Sequence, residues 1–171
     1  VIMGLAGYYI VTDADEAALH LPSGAYDIGL AVQDRSFNAD GSWLYPAVWQ
    51  DHFYGHKTLV NGKVWPFLDV DRAKYRFRLL NGSTSRVWTL VLEDDADVRQ
   101  TFHQIGTDAG LLPAPLALTQ ITLAPGERAD IIVDFGAYGN NTDLYLENIE
   151  PPGVPTAPDL EHVMKFQVSN P

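Results

Sequence analysis

The chain of 171 residues contains no cysteine. This absence excludes disulfide bonds, thiolate nucleophiles, iron–sulfur clusters and cysteine-ligated zinc sites within the chain. It also excludes a blue-copper centre built from this chain alone, because such a centre requires a cysteine thiolate. Any metal or nucleophilic chemistry of the chain would have to come from other side chains.

Basic residues are also scarce. Lys plus Arg number 11 against 22 Asp plus Glu, which gives a formal net charge of −11 at pH 7. A field of that sign repels phosphate backbones and anionic lipid headgroups. No uninterrupted apolar run approaches the roughly 18 to 20 residues that a membrane-spanning helix needs. We therefore expect a soluble protein whose partners include neither nucleic acid nor membrane, and the sequence leaves open whether it is exported or cytoplasmic.

Strand-like patterns dominate the residues that are present. Apolar residues make up 46% and charged residues 19% of the chain, which is ordinary usage for a globular domain, and the length favours one main core. The clearest pattern is Lys74–Leu80, in which Tyr75, Phe77 and Leu79 alternate with basic residues. A period of two is that of a strand with one buried face. The sequence therefore predicts an all-β sandwich or barrel.

Other segments extend this prediction. Asn61 and Gly62 lie between two apolar runs and predict a tight hairpin. No segment requires a long helix. Further strands are predicted at residues 26–33, 64–70, 87–92, 118–123, 129–135, 144–148 and 162–168. Two irregular connections stand out, the aromatic-rich loop Asp34–Gly55 and the proline-rich connector Glu150–Asp159.

No self-contained active site is evident in the sequence. His52 and His56 have the spacing of a helical metal site, but the glycine between them and the strand-like residues that follow argue against a helix. The acidic run 93–97 lacks the ligand spacing of a calcium loop. The serines of segment 83–85 lack a nucleophile-elbow context. We therefore predict neither catalytic nor metal-ligating residues.

Several motifs carry a resemblance to a known family. In chain order they are Gly4–Val11 (GLAGYYIV), Tyr26–Ile28 (YDI), Gln33–Phe37 (QDRSF), Leu59–Pro66 (LVNGKVWP), Lys74–Arg78 (KYRFR) with Leu80-Asn81, Gln104–Leu112 (QIGTDAGLL) and Leu123–Asp130 (LAPGERAD). Together they resemble the middle cupredoxin-like domain of three-domain multicopper oxidases of the bacterial laccase, spore-coat oxidase and bilirubin oxidase type. The resemblance spans nearly the whole chain.

This resemblance implies a fold and a domain division. The fold it implies is a Greek-key cupredoxin-like β-sandwich or barrel. Residues 1–12 would be the final strand of a preceding cupredoxin domain, residues 13–24 an interdomain linker, and residues 25–171 the middle domain. The chain would then be a piece of a longer polypeptide, in which the flanking copper-binding cupredoxin domains are its partners.

The resemblance also implies where copper lies. The family oxidises phenolic or bilirubin-like substrates at one copper and reduces dioxygen to water at a copper cluster, with His-x-His and His-Cys-His ligand segments. This sequence has neither segment. In the family those ligands belong to the first and third domains, so we expect no cofactor in this chain and copper in the full-length parent. The isolated chain is expected to be an inactive scaffold.

Two places are expected to face the substrate cleft of the parent by the same resemblance. One is the loop containing Asp51, His52 and Phe53, and the other is the turn containing Ser85. Ordinary loop polarity explains these residues equally well. An independent β-sandwich binding module, for example for carbohydrate, stays open as an alternative, with the aromatic loop as a stacking platform.

Overall fold

The computed structural model describes residues 4–48, 50–149 and 160–169. Within these ranges the chain forms twelve strands, one five-residue helix and two short 3-10 turns at Gly24–Tyr26 and Phe135–Ala137. The helix is α1 (Ala14–Ala18). The strands are β1 (Asp27–Arg35), β2 (Lys57–Val60), β3 (Lys63–Val64), β4 (Phe67–Asp71), β5 (Lys74–Asn81), β6 (Trp88–Asp94), β7 (Phe102–Thr107), β8 (Gly110–Leu118), β9 (Gln120–Leu123), β10 (Arg128–Asp134), β11 (Asp143–Asn148) and β12 (His162–Ser169).

The strands form two sheets. The larger has the order β3-β2-β1-β5-β10-β7-β8 and the smaller the order β4-β12-β11-β6-β9. The chain changes sheet repeatedly, because β3, β5 and β7 belong to the larger sheet while β4 and β6 belong to the smaller one. Two pairs, β1 with β5 and β4 with β12, are parallel. The all-β sandwich predicted from the sequence is confirmed.

The core lies between the two sheets and centres on aromatic side chains. Phe77 of β5 lies 5.1 Å from the ring of Phe166 on β12, and Phe135 lies 5.3 Å from the same ring. Tyr75 stacks on Phe77 with ring centroids 5.9 Å apart. These separations are those at which aromatic pairs attract beyond simple burial. The period of two in β5 therefore places its aromatic row inside, as predicted.

Several local predictions can be compared with the structure. Asn61 and Gly62 both have positive φ, 51° and 80°, as a tight hairpin between β2 and β3 requires. Strand β8 is not among the predicted strands, because Pro113 and Pro115 argue against a strand, yet prolines are tolerated at the edge where β8 lies. No described helix is long and apolar enough to cross a membrane.

Residues 4–12 form no strand within this chain and pair with neither sheet. A strand of a preceding domain would find the neighbours for its backbone groups in that domain, so the assignment of residues 1–12 to the final strand of such a domain stays a prediction. Outside the described residues lie Val1–Met3 of that prediction, Trp49 of the aromatic loop and the connector Glu150–Asp159.

Substitution of the central core phenylalanine should be costly. Phe77 is 1% exposed and Phe67 is 67% exposed. Phe77→Ala leaves a cavity among three aromatic rings, so we expect the free energy of unfolding to fall by about 3–5 kcal/mol. Phe67→Ala is the matched control and should change it by no more than about 0.5 kcal/mol. Urea unfolding followed by tryptophan fluorescence measures both, and equal losses would contradict this description of the core.

Candidate functional site

A fully buried ion pair organises one end of the sandwich. Asp34 lies near the end of β1, and Arg86 lies in the segment between β5 and β6. The Arg86 Nε donates to Asp34 Oδ2 at 3.1 Å, and both side chains are 0% exposed. Buried charges are tolerated when they are paired and hydrogen-bonded, and are very costly when one partner is missing. The two segments are therefore fixed relative to each other.

The same pair holds the loop that precedes β2. The Gly55 N–H donates to Asp34 Oδ2 at 2.6 Å, and an Arg86 terminal nitrogen donates to the Gly55 carbonyl at 3.3 Å. A β-carbon at position 55 would lie 2.2 Å from the backbone nitrogen of Arg35. Only glycine fits there, because the clash would be with backbone rather than with a flexible side chain. The loop is thus anchored through its backbone.

A serine-containing turn completes the anchoring. The Ser83 Oγ accepts hydrogen bonds from the Asp34 N–H at 3.2 Å and from the Trp88 Nε1–H at 3.0 Å. The Ser85 Oγ accepts from the Phe53 N–H at 3.2 Å. The turn therefore connects to β1, to the start of β6 and to the loop before β2.

The four residues expected at a substrate cleft lie on this anchored frame. Phe53 and Ser85 are in direct contact through the hydrogen bond just described, and both are half-buried. Asp51 and His52 are exposed, and the His52 ring lies 6.2 Å from that of Tyr54. The structure brings loop and turn together, whereas a role in binding substrate stays a prediction.

Two aromatic side chains of the loop Asp34–Gly55 pack on arginines. The Arg35 guanidinium lies 5.4 Å from the Trp43 ring centroid, and the Arg86 guanidinium lies 5.2 Å from that of Tyr54. Such cation–π contacts stabilise both partners. Their packing disfavours a loop built as an open stacking platform for sugars.

The two histidines of this region, His52 and His56, contact different residues. The His56 Nδ1 is 2.9 Å from the Ser36 Oγ, while His52 lies beside Tyr54. Among residues 4–48, 50–149 and 160–169, no group of three or more His, Asp or Glu side chains stands where it could hold a metal ion. The His, Asp and Glu side chains of these ranges therefore form no group that fits a copper centre.

A second ionic cluster lies under the N-terminal strap, which we define as residues 4–23. Glu16 of α1 accepts a hydrogen bond from Arg76 at 2.5 Å and lies 3.6 Å from Arg78. Arg76 also pairs with Asp130, and Arg78 makes two hydrogen bonds to Asp27 at 2.8 and 2.9 Å. Two of the three basic side chains of β5, Arg76 and Arg78, are thus largely covered, and Arg76 is buried.

The strap makes a second contact with the same sheet through Tyr8. Its hydroxyl donates to the Arg78 carbonyl at 2.8 Å, and its ring covers Gly29, where a β-carbon would come within 2.7 Å of the ring. Burial, and after it the Asp130 carboxylate, raises the pKa of the Tyr8 hydroxyl far above its ordinary value. The strap borders a cavity of about 390 Å³ with Arg76, Arg78 and the turn between β7 and β8.

Sequence reasoning missed both ionic clusters. Asp34 and Arg86 are 52 positions apart, and Glu16 and Arg76 are 60 apart, so no local spacing links them. One signal was available for the first pair. Asp34 lies two positions after the apolar run Leu30–Val32 of β1, where a charge near the end of a buried strand indicates a buried partner.

Comparison with known proteins gives a consistent set of relatives. No protein-family model matches the chain. A laccase from Bacillus stratosphericus is 41% identical over 186 residues, covering 100% of this chain and 36% of the laccase. A cell division protein, FtsP from Photorhabdus laumondii, is 40% identical over 136 residues, covering 78% of this chain and 28% of that protein. The chain spans about a third of the length of the curated relatives it matches.

A solved structure extends the comparison to the fold. The multicopper oxidase McoA from Aquifex aeolicus superimposes with a TM-score of 0.83 at 38% identity. The match covers 93% of this chain and 36% of that protein. The sandwich described above is therefore of the cupredoxin-like kind, as the sequence motifs implied.

Breaking the buried ion pair should destabilise the chain far more than breaking an exposed one. Arg86→Met leaves Asp34 charged and unpaired, so we expect the free energy of unfolding to fall by about 3–5 kcal/mol. The exposed pair Arg128–Asp108 supplies the control, and Arg128→Met should cost no more than about 1 kcal/mol. Arg86→Lys keeps the positive charge but lacks the planar guanidinium group. Its loss in the free energy of unfolding should therefore lie between those of the other two variants. Urea unfolding measures all three, and similar losses for Arg86→Met and Arg128→Met would contradict the role of the pair.

The bridge from α1 should control how firmly the strap is held. Glu16→Gln removes the carboxylate shared by Arg76 and Arg78, so we expect a loss of about 1.5–3 kcal/mol in urea unfolding. Asp15→Asn on the same helix is the control, because Asp15 is exposed, and it should change stability by no more than about 0.5 kcal/mol. Chymotrypsin should cleave after Leu19 faster in the Glu16→Gln variant only. Equal cleavage rates in the two variants would show that Glu16 does not secure the strap.

Proposed function

This chain belongs to the multicopper oxidase family as one cupredoxin-like domain, and we propose that it is the copper-free middle domain of a three-domain enzyme. The observation that carries the proposal is the pattern of coverage. The laccase match takes in all of this chain but only 36% of the relative. A domain that accounts for a third of a protein leaves room for two others of similar size.

The proposed role of the domain is to hold its neighbours in place. Copper chemistry in the parent would depend on ligands outside this chain, because the chain has no cysteine and no His-x-His segment. Its own contribution would be geometric. Electron transfer between copper sites is sensitive to separation, so a rigid sandwich between two copper-bearing domains would maintain the separation that turnover requires. We propose residues 1–12 as part of the preceding domain and residues 13–24 as the linker.

The anchored loop and turn would form part of the wall of the substrate cleft. Phe53 would present an apolar ring, and Asp51 and His52 would present polar groups at the rim. Ser85 would act by orienting the loop, since its Oγ already accepts from the Phe53 N–H. The frame built on Asp34 and Arg86 supports this role, because it fixes the backbone of the loop without using its outward side chains.

The activity proposed for the whole protein is oxidation of phenolic or bilirubin-like substrates coupled to reduction of dioxygen to water. The names of the similar laccases support this class of reaction. The relative named as a cell division protein supports a second candidate, in which the parent acts in cell division rather than as an oxidase. Copper content of the whole polypeptide separates these two.

Metal analysis tests the proposal directly. The polypeptide encoded by the complete gene, loaded with copper and desalted, should retain stoichiometric copper and oxidise a simple phenol with uptake of dioxygen. This chain alone should retain no stoichiometric copper and show no turnover. We expect the histidines of this chain to ligate no copper, so the double variant His52→Ala/His56→Ala of the complete polypeptide should keep its copper content.

Three outcomes would contradict the proposal in different ways. Stoichiometric copper in this chain alone would mean that its histidines form a site. Loss of copper in the His52/His56 double variant would place ligands in this domain. A complete polypeptide that neither holds copper nor oxidises phenols would favour the second candidate, and calorimetric titration of this chain with oligosaccharides would then test the binding-module alternative.

A further inference from the structure

Two identical dipeptides of the chain carry the same chemical lability. They are Asn61-Gly62 and Asn81-Gly82. Asparagine is among the thermolabile residues of proteins, and a following glycine increases its reactivity, because glycine has no β-carbon to shield its backbone nitrogen. Since the two dipeptides are the same, the structure around each one determines which of them reacts.

The reaction is deamidation, and water is its only co-reactant. The glycine nitrogen forms a bond to the asparagine Cγ and gives up its proton. The bond between Cγ and Nδ2 breaks, and the nitrogen leaves with that proton as ammonia. Water then adds to one carbonyl carbon of the resulting cyclic imide and breaks the bond of that carbon to the ring nitrogen, which leaves aspartate or isoaspartate. The reaction therefore requires the glycine nitrogen and the asparagine Cγ to approach each other freely.

The fold blocks this approach at Asn81. The Asn81 Nδ2 donates to the carbonyls of Arg86 and Leu123 at 2.7 and 2.8 Å, and the side chain is buried. The attacking nitrogen is held as well, because the Gly82 N–H donates to the Val32 carbonyl at 2.8 Å. These contacts join β5 to β1 in its own sheet and to β9 in the other sheet. They can break together only when the sandwich itself unfolds.

Asn61 is held more weakly, at an edge of the larger sheet. Its Oδ1 accepts from the Ala31 N–H at 2.9 Å, and its Nδ2 donates to the Gly29 carbonyl at 2.8 Å. Asn61 is exposed, and β3, which follows it, has only two residues, both exposed, as the last strand of the sheet. Such a short edge hairpin opens locally at low free energy. Opening frees the Asn61 Cγ without disturbing the aromatic core.

We infer that Asn61 is the site at which the folded chain deamidates, whereas Asn81 deamidates only after global unfolding. This inference does not depend on the proposed function. The product weakens the contact between the β2–β3 hairpin and β1. A carboxylate at position 61 has no N–H to donate to the Gly29 carbonyl and places an oxygen opposite it, so a hydrogen bond is replaced by a repulsive contact. Deamidation thus loosens one edge of the larger sheet and leaves the core intact.

Tryptic digestion separates the two sites. Trypsin releases the peptides Thr58–Lys63 and Leu79–Arg86, each of which contains a single asparagine. The full chain is incubated in mildly alkaline buffer with and without urea, and mass spectrometry of the two peptides follows replacement of the amide by a carboxyl group. In buffer we expect Asn61 to deamidate at least roughly tenfold faster than Asn81. In urea that unfolds the chain, the two rates should agree within about twofold, because neither site keeps its contacts.

Urea below the unfolding transition provides a second measurement. Asn81 reacts through global unfolding, which exposes a large surface, so its rate should rise steeply with urea concentration. Asn61 reacts through opening of a short hairpin that exposes little surface, so its rate should change little over the same range. A steep dependence at both sites would show that Asn61 also requires global unfolding and would overturn the inference.

Three further outcomes would also overturn it. Equal rates at the two sites in buffer would show that the contacts of Asn81 give no protection. A difference that persists in unfolding urea would assign the selectivity to neighbouring sequence rather than to the fold. No reaction at Asn61 in buffer, while both sites react in urea, would show that the hairpin does not open in the folded chain.

A substitution that mimics the product tests its effect on the hairpin. Asn61→Asp should lower the urea midpoint of unfolding, because the hydrogen bond to the Gly29 carbonyl is lost. Asn141→Asp is the matched control, since Asn141 is also exposed and has a positive φ of 62°, and it should leave the midpoint unchanged. Equal midpoints for the two variants would contradict the loosening of the hairpin by deamidation.

Discussion

The buried pair of Asp34 and Arg86 is the contact on which the candidate site depends. It joins the end of β1, the loop before β2 and the turn after β5, three segments that the sequence keeps far apart. Neither charge reaches solvent, so each requires the other in place. This is why the loop can project its side chains outward and still keep a fixed path.

The distribution of charge follows from the same requirement. The chain has half as many basic residues as acidic ones. Three of the basic residues, Arg76, Arg78 and Arg86, bind carboxylates from distant segments. Acidic side chains without such partners are left to the surface. The net charge of −11 therefore describes the exterior, while the interior contacts are close to neutral.

Sequence patterns revealed those features of the fold that repeat locally. The alternation in β5 and the positive φ at Asn61 and Gly62 depend on neighbouring residues, so both could be predicted. Strand β8 could not be predicted, because its prolines are acceptable only at an edge, and edge position is a property of the assembled sheet. The residues expected at a substrate cleft came from a resemblance, and the frame beneath them depends on a contact between residues 52 positions apart. No window of sequence contains both partners.

Gly55 sets a boundary for redesign of the loop. A side chain there would meet the backbone of Arg35, which no rotamer change can relieve. Tyr54 belongs to the same frame, because its ring packs on the Arg86 guanidinium. Positions 51–53, in contrast, are exposed or half-buried. A combinatorial library over those three positions could therefore explore new chemistry on an unchanged frame, provided that residues 34, 54, 55 and 86 are held constant. The molecule thus separates the part of the loop that specifies its shape from the part that is available for selection.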